Sequence, residues 1–176
     1  MILCAGRNEL IKGANPIGVG LCEVVKNLTQ IIIERNPSEL YFVGSAGSYG
    51  KYKPFDIVES CKAVQVEVSS LLDYTYTPLL EIMQKNVSCE TNVIVNSSNY
   101  ITKDKDMAEQ FLEKGYDLEN MEFYAVIYVA NQFSINAKGI FVVTNYCDEN
   151  AHAEYMKNHK IANNIMEKIV EEKIYS

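Results

Sequence analysis

Two short stretches carry side chains whose type and position could do chemistry. In Met121-Glu122, a carboxylate stands at the start of a helical pattern whose later residues are almost all apolar. A carboxylate in apolar surroundings costs free energy unless it is paired or bound. Glu122 is therefore either a helix-start carboxylate favoured by the helix dipole or a bidentate acceptor for two neighbouring hydroxyl groups. The pattern fits both interpretations equally.

The second stretch is Thr144-Asn145, at the end of the strand-like run 137–146. An Asn side chain has one donor and one acceptor group, and it can present both to a planar heterocycle. It can equally close an Asx-turn after a strand. In the polar segment 96–102 (NSSNYIT), Tyr100 can stack on a planar base or cover the edge of the core.

A third stretch, 44–47 (GSAG), follows the strand pattern of Tyr41-Phe42-Val43. Glycine lets a ligand approach the backbone closely, and free N–H groups with the Ser45 hydroxyl could hold an oxygen-rich ligand. A tight turn explains the same residues equally well. The spacing matches neither a dinucleotide-binding fingerprint nor a P-loop.

Strand-like and helical patterns alternate along the chain, so these stretches have defined elements to position them. Apolar spacing predicts strands at 1–5, 40–44, 55–72, 90–98 and 137–146. It predicts helices at 20–35, 77–85, 103–115 and 120–133, and a long last helix with stripes through Ile161, Ile165, Ile169 and through Met166, Val170, Ile174.

This alternation predicts an α/β fold, a three-layer α/β/α sandwich with a mixed central sheet, in one domain spanning residues 1–176. Ligands of such sheets bind beyond the carboxyl ends of the strands. The rule selects four loops, 6–9, 44–50, 96–102 and 144–148, which hold most of the unusual polar chemistry.

Composition excludes several classes of function. A net charge of −7 argues against nucleic-acid and anionic-membrane partners. The five cysteines contain no Cys-x-x-Cys pair, which favours buried free thiols and a cytoplasmic location over a disulfide framework or a zinc site. His152 and His159 are expected on the surface, and no Ser/His/Asp or Cys/His arrangement is visible. No metal or organic cofactor is implied.

The order of the motifs resembles the nucleoside phosphorylase and nucleosidase superfamily, especially methylthioadenosine/S-adenosylhomocysteine nucleosidases and bacterial purine nucleoside phosphorylases. The motifs are strand-Val-Gly-Ser-Ala-Gly, Asn-Ser-Ser-Asn-Tyr-Ile, Met-Glu-x-x-Ala on a helix, and strand-Val-Val-Thr-Asn, and the likeness runs from residue 2 to about 174. The resemblance implies cleavage of an N-glycosidic bond in a homo-oligomer, such as a dimer or hexamer, with inorganic phosphate as a candidate co-substrate.

The resemblance also implies roles for individual residues. The ribose would be held by Met121 and by Glu122, which accepts from the 2′ and 3′ hydroxyls. The side of the ribose where the nucleophile attacks would be lined by Ser45, Ala46 and Gly47. Base contacts would come from Tyr100 by stacking, from the backbone of Ile101, and from Thr144 and Asn145. Glu9 would orient an attacking water, whereas a phosphate would meet Gly6, Arg7 and Ser45.

Three departures from the family pattern affect these expectations. Nucleosidases and many hexameric phosphorylases have Asp where this chain has Asn145, and an amide cannot act as a general acid. Asn145 predicts a preference for 6-oxopurine nucleosides. Phe42 stands where hexameric phosphorylases carry a phosphate-binding Arg. The segment between residues 10 and 16 has lost most of a hairpin that relatives carry.

Two functions remain open at this point, beside a third interpretation, a purely structural α/β domain, which requires all four polar loops to be coincidental. The leading one is an enzyme that cleaves purine nucleosides, with Arg7 favouring phosphate and Phe42 and Glu9 favouring water. The alternative is a degenerate relative that binds a nucleoside or nucleobase without turning it over, motivated by Asn145 and the shortened N-terminal half.

Overall fold

The computed structural model describes residues 1–78, 82–84 and 91–175. The strands are β1 (Ile2–Cys4), β2 (Asn15–Pro16), β3 (Glu39–Ser48), β4 (Ile57–Ser60), β5 (Lys62–Val64), β6 (Ile82–Gln84), β7 (Ile94–Asn96), β8 (Leu118–Glu119) and β9 (Asn136–Tyr146). The helices are α1 (Leu21–Arg35), α2 (Val68–Leu71), α3 (Lys105–Glu113), α4 (Phe123–Gln132) and α5 (Ala151–Tyr175).

All of these strands join one mixed sheet with the order β2-β1-β3-β8-β7-β5-β6, and β9 pairs with β3 and β4. Helices α1 and α4 cover one face of the sheet, where Val24, Leu28 and Ile32 of α1 enter the larger apolar core. Helix α5 covers the other face through Ala162, Met166 and Val170. The predicted three-layer α/β/α architecture is confirmed.

The central pair of strands runs further than the sequence predicts. β3 continues through Gly44-Ser45-Ala46-Gly47 to Ser48, so the segment expected as a loop from residue 44 is strand up to that point. β9 runs parallel to it, with a register shift between Ala46 and Gly47. The chain can continue as strand because Gly44 and Gly47 leave room for their neighbours. A Cβ on Gly44 would lie 2.8 Å from the Phe42 ring, and one on Gly47 would lie 2.7 Å from Cys147 Sγ.

Two predicted elements are wrong in the middle of the chain. The expected strand over 55–72 is divided into β4, β5 and the short helix α2, because β4 pairs with β9 while β5 pairs with β7. In the expected helix over 77–85, residues Ile82–Gln84 form strand β6 antiparallel to β5, so pairing with the sheet overrides helical spacing. Residues 79–81 and 85 of that prediction lie outside the described residues.

The expectation of free thiols is partly wrong. Cys4, Cys22 and Cys147 are free, and Cys4 and Cys147 are buried. Cys61 is disulfide-bonded, and Cys89 lies outside the described residues. Within the part of the chain that the structure describes, no helix combines the length and the apolar character that a membrane span requires.

Candidate active site

A cleft of about 340 Å³ lies where β1, β3 and β9 end. It brings together most of the residues selected from the sequence: Gly6, Arg7, Glu9, Ser45, Ala46, Gly47, Ile101, Met121, Glu122, Thr144 and Asn145. Its remaining lining residues were not selected: Ala5, Asn8, Val19, Glu119, Asn120, Ala151, His152 and Tyr155. The convergence follows from topology, because parallel strands end at the same edge of a sheet.

Glu122 is a buried carboxylate immediately before α4. Its Oε1 accepts the Gly20 backbone N–H at 3.0 Å, and its Oε2 accepts the Asn120 side-chain amide at 3.0 Å. Burial, together with the charge of nearby Glu9, raises the pKa of Glu122 to about 7. Two donors therefore orient a carboxylate that changes charge near neutral pH.

Asn120 is a functional candidate that the sequence analysis missed. Its Oδ1 accepts the backbone N–H groups of Glu122 at 3.0 Å and Phe123 at 2.9 Å, so it caps the start of α4. Its Nδ2 donates to Glu122 and also to the Ser45 carbonyl at 3.0 Å. An Asn directly ahead of an apolar helical pattern is a recognisable cap signal, but its link to β3 is visible in the tertiary structure alone.

Glu9 binds Ser45 in the same cleft. Glu9 Oε2 accepts the Ser45 backbone N–H at 3.1 Å, and Oε1 accepts the Ser45 hydroxyl in a short hydrogen bond. Burial raises the pKa of Glu9, although both bonds from Ser45 favour its ionised form. The two Ser45 donors that could hold a phosphate oxygen are therefore occupied by a carboxylate.

Arg7 lines the cleft, but its guanidinium is paired with Glu23, which does not line the cleft. Its guanidinium pairs with Glu23 at 2.9 Å, and the Arg7 side chain is 67% exposed. Arg7 has a φ of 53° in the tight turn where Glu9 N–H donates to the Gly6 carbonyl at 3.0 Å. Phe42 does not line the cleft: it is fully buried behind Gly44 and packs against Phe123 and Phe141.

The amide of Asn145 is engaged within its own strand. Its Oδ1 accepts the Thr144 hydroxyl at 2.8 Å, and its Nδ2 donates to the Tyr146 carbonyl at 2.9 Å. Strand β9 ends at Tyr146, as the strand pattern over 137–146 predicts, so Asn145 lies within the strand. The first carboxylate after the strand is Asp148, which accepts the Asn150 backbone N–H at 2.8 Å.

Ile101 lines the cleft but is 60% exposed, whereas Tyr100, which is 77% exposed, does not line it. Tyr100 lines a smaller neighbouring cavity of about 170 Å³, and Ile101 lines both cavities. Glu119 forms part of the wall between them and accepts from Thr102 and from the Tyr49 hydroxyl. Burial raises the pKa of Glu119.

The two histidines do more than cover the surface. His152 is exposed but lines the cleft together with Tyr155. His159 stacks on the Tyr155 ring with 5.6 Å between ring centroids, and its Nδ1 lies 2.8 Å from the Met156 carbonyl. The helical pattern of α5 contained both residues, but it could not indicate that this face of the helix turns toward the ends of β1 and β3.

Among residues 1–78, 82–84 and 91–175, no group of three or more His, Cys, Asp or Glu side chains is placed to hold a metal ion. The expectation that no metal or organic cofactor takes part stays a prediction.

Solved structures share this fold at low sequence identity. The methylthioadenosine/S-adenosylhomocysteine nucleosidase of Helicobacter pylori, complexed with an amino-pyrrolopyrimidine linked to a pyrrolidinol, is 15% identical with a TM-score of 0.83 over 98% of this chain and 96% of that chain. Futalosine hydrolase of H. pylori is 16% identical with a TM-score of 0.81 over 97% and 94%. The S. pneumoniae nucleosidase, with a transition-state inhibitor, is 13% identical with a TM-score of 0.75 over 96% and 94%.

No curated protein sequence gives a significant match to this chain. The sequence does match the family profile described as the phosphorylase superfamily, over residues 2–174. The match covers nearly the whole length, and it includes every residue of the cleft. The resemblance drawn from the four motifs is confirmed: the chain belongs to the phosphorylase superfamily.

Proposed function

We propose that this protein hydrolyses the N-glycosidic bond of a purine nucleoside, with Glu9 orienting the attacking water. The observation that carries the choice of water is the pair of hydrogen bonds from Ser45 to the Glu9 carboxylate. A phosphate dianion at Ser45 would have to displace this carboxylate or lie against its negative charge. A water molecule there would instead find a hydrogen-bond acceptor that can take its proton.

The charges around the cleft support water over phosphate. Glu9, Glu119 and Glu122 all line it, and Arg7, the one arginine in the lining, pairs with Glu23. A dianion needs strong cationic or multiple N–H donors. The related H. pylori proteins are a nucleosidase and a hydrolase by name, which agrees with this choice.

Glu122 supplies the second part of the reaction. As the glycosidic bond breaks, the ribose becomes oxocarbenium-like, and a carboxylate that accepts from its hydroxyl groups stabilises the developing positive charge. Gly20 and Asn120 hold the Glu122 carboxylate in place before substrate arrives. Pre-organised charge of this kind needs no rearrangement at the moment of bond cleavage.

The leaving base needs a proton or a hydrogen bond at N7, and two residues compete for this role. The resemblance predicts a base contact for Asn145, whose amide would have to release Thr144 or Tyr146 to reach the substrate. It also implies an Asp at position 145 in nucleosidases, where this chain has an amide. Asp148, the first carboxylate after β9, does not line the cleft but lies three residues beyond Asn145, and we propose it as the second candidate proton donor in this chain.

The proposed function is tested by base release from inosine, adenosine and methylthioadenosine with and without inorganic phosphate. We expect release that does not depend on phosphate, and about a 10²-fold lower kcat in Glu9→Gln because the general base is lost. Glu171→Gln, an exposed glutamate on α5, is the matched control. Release that requires phosphate would identify a phosphorylase instead.

The same assay separates the two leaving-group candidates. Asp148→Asn should lower kcat strongly if Asp148 donates the proton, whereas Asn145→Ala should mainly change the ratio of inosine to adenosine turnover. The 6-oxopurine preference rests on Asn145 alone, and faster cleavage of adenosine or methylthioadenosine than of inosine would contradict it.

The alternative function, binding without turnover, is favoured by one observation: the amide of Asn145 and the guanidinium of Arg7 are both engaged within the chain. Tight binding of a purine base with no release across the nucleoside panel would support it. Detectable turnover that disappears in Glu122→Ala would dismiss it.

We also propose that the protein is a homo-oligomer in the cytoplasm. Ile101, at the cleft, and its neighbour Tyr100 are large exposed residues that a second copy could cover. Light scattering of the purified protein measures the oligomeric state, and a monomer at working concentration would contradict this part.

A further inference from the structure

Helix α5 presents a row of three residues to the turn that carries Glu9. Tyr155, His159 and Asn163 are spaced four positions apart, so they lie on one face of the helix. We call them the α5 row. The turn itself is short, with Glu9 N–H donating to the Gly6 carbonyl at 3.0 Å, and Asn8 directly precedes Glu9.

The α5 row holds Asn8 through a backbone hydrogen bond. Asn163 Nδ2 donates to the Asn8 backbone carbonyl at 2.8 Å. The Asn8 side chain lies near the Tyr155 hydroxyl and opposes the rise in the Tyr155 pKa that burial causes, and the Tyr155 ring stacks on His159. The backbone of residue 8 is therefore attached to α5 one position before Glu9, and its side chain lies beside Tyr155.

The position that Asn163 takes to make this contact lowers the stability of the folded state locally. Its Oδ1 is buried and has no hydrogen-bond partner among the described residues, and an unsatisfied buried acceptor destabilises the folded state. A smaller or apolar side chain would remove that penalty but also the donor to Asn8. The presence of Asn163 is explained if holding the turn that carries Glu9 in place matters more than the loss of folding free energy at Oδ1.

The same row also acts on the charge of Glu9. The groups facing Glu9 are Ser45 from β3, Cys4 from β1, Glu122 from the start of α4, and Tyr155 and His159 from α5. Burial raises the pKa of Glu9, and His159 opposes that rise. Helix α5 is thus connected to Glu9 through both geometry and charge.

We propose that the α5 row is the positioning element of the Glu9 carboxylate, with Asn163 as its principal positioning residue. This inference rests on the proposed function, in which Glu9 orients the attacking water. A displaced Glu9 would leave nucleoside binding intact but misalign the water, and small displacements of a catalytic group lower the rate of the chemical step.

The test compares Asn163→Ala with Asn164→Ala, because Asn164 is the adjacent, exposed residue of the same type. Steady-state kinetics should give about a tenfold lower kcat for Asn163→Ala with KM within about twofold, and wild-type values for Asn164→Ala. Amide hydrogen exchange should become faster in the segment 5–10 of Asn163→Ala and stay unchanged in Asn164→Ala. Asn163→Ser replaces Asn163→Ala if the alanine variant does not fold.

The exchange measurement keeps this inference distinct from the proposed function. If the wild-type protein cleaves no nucleoside, the proposed function fails, and faster exchange in Asn163→Ala still supports attachment of the turn by Asn163. Unchanged exchange in segment 5–10 overturns the inference, with or without turnover. It is also overturned if kcat of Asn163→Ala equals the wild-type value, or if KM rises while kcat does not fall.

Discussion

Glu122 is the residue whose chemistry the sequence indicated most directly. A carboxylate ahead of an apolar helix left two interpretations, a helix-start charge or an acceptor for hydroxyl groups. The structure places it at the helix start and in the cleft together, with Gly20 and Asn120 as donors. Neither donor could be predicted, because Gly20 is distant in the chain and the Asn120 side chain could have turned either way.

The raised pKa of Glu122 predicts a pH-dependent rate. The ionised carboxylate stabilises the oxocarbenium-like ribose, and with a pKa of about 7 it becomes protonated below neutrality. We expect kcat/KM to fall about tenfold per pH unit below that point. Glu122→Gln should lower kcat by about 10²–10³-fold. A pH profile of base release measures both effects, and a wild-type rate that is flat between pH 5 and 8 would contradict this role.

At the scale of elements, the pair β3–β9 determines the shape of the cleft. Small residues at 44–47 looked like a turn, yet they form strand because the space above them is filled by Phe42, Glu9, Asn145 and Cys147. The sequence pattern could not distinguish these outcomes, since glycine permits both. The deciding factor is the side chains that pack against the missing Cβ atoms.

Gly44→Ala tests this explanation. Its Cβ would lie 2.8 Å from the Phe42 ring and 3.5 Å from Glu9 Oε2, so we expect a loss of about 1–3 kcal/mol in the free energy of unfolding from overpacking. Phe42→Leu should restore part of that loss when combined with Gly44→Ala, as measured by urea unfolding. Additive losses in the double variant would show that the two residues do not compete for the same space.

A matched control for destabilisation is available in α3. Asp104 caps this helix by accepting the Met107 N–H at 3.0 Å, and it does not line the cleft. Asp104→Ala should lower the free energy of unfolding by about 1 kcal/mol and leave kcat unchanged. Gly44→Ala should also lower kcat, because its new methyl group approaches Glu9.

At the scale of the whole molecule, several buried carboxylates face one cleft. Burial raises the pKa values of Glu9, Glu119 and Glu122 in the folded state. Between the unfolded and folded pKa values, the folded state keeps protons that the unfolded state has released. The free energy of unfolding therefore falls as pH rises through this range.

Urea unfolding at two pH values measures the sign and the size of this pH dependence of stability. For Glu122 the window runs from 4.5 to about 7, and wild-type protein should be more stable in urea at pH 5.5 than at pH 8. Glu122→Gln should narrow that difference by up to a few kcal/mol and raise stability at pH 8 while it lowers activity. If Glu122→Gln kept the wild-type difference in the free energy of unfolding between pH 5.5 and pH 8, the pKa of Glu122 would not be raised by folding.

The sequence by itself determined the layered α/β architecture, the helices α1, α3, α4 and α5, the buried strands β1 and β9, and the family. Periodic apolar spacing and ordered motifs are local properties that a chain displays before it folds. The tertiary structure decided where β3 ends, which donors hold Glu122, and that Glu9 rather than a phosphate occupies the donors of Ser45. It also turned the face of α5 with His152 and Tyr155 toward the cleft. These contacts join residues far apart in the chain, and no spacing along the sequence encodes which of them will meet.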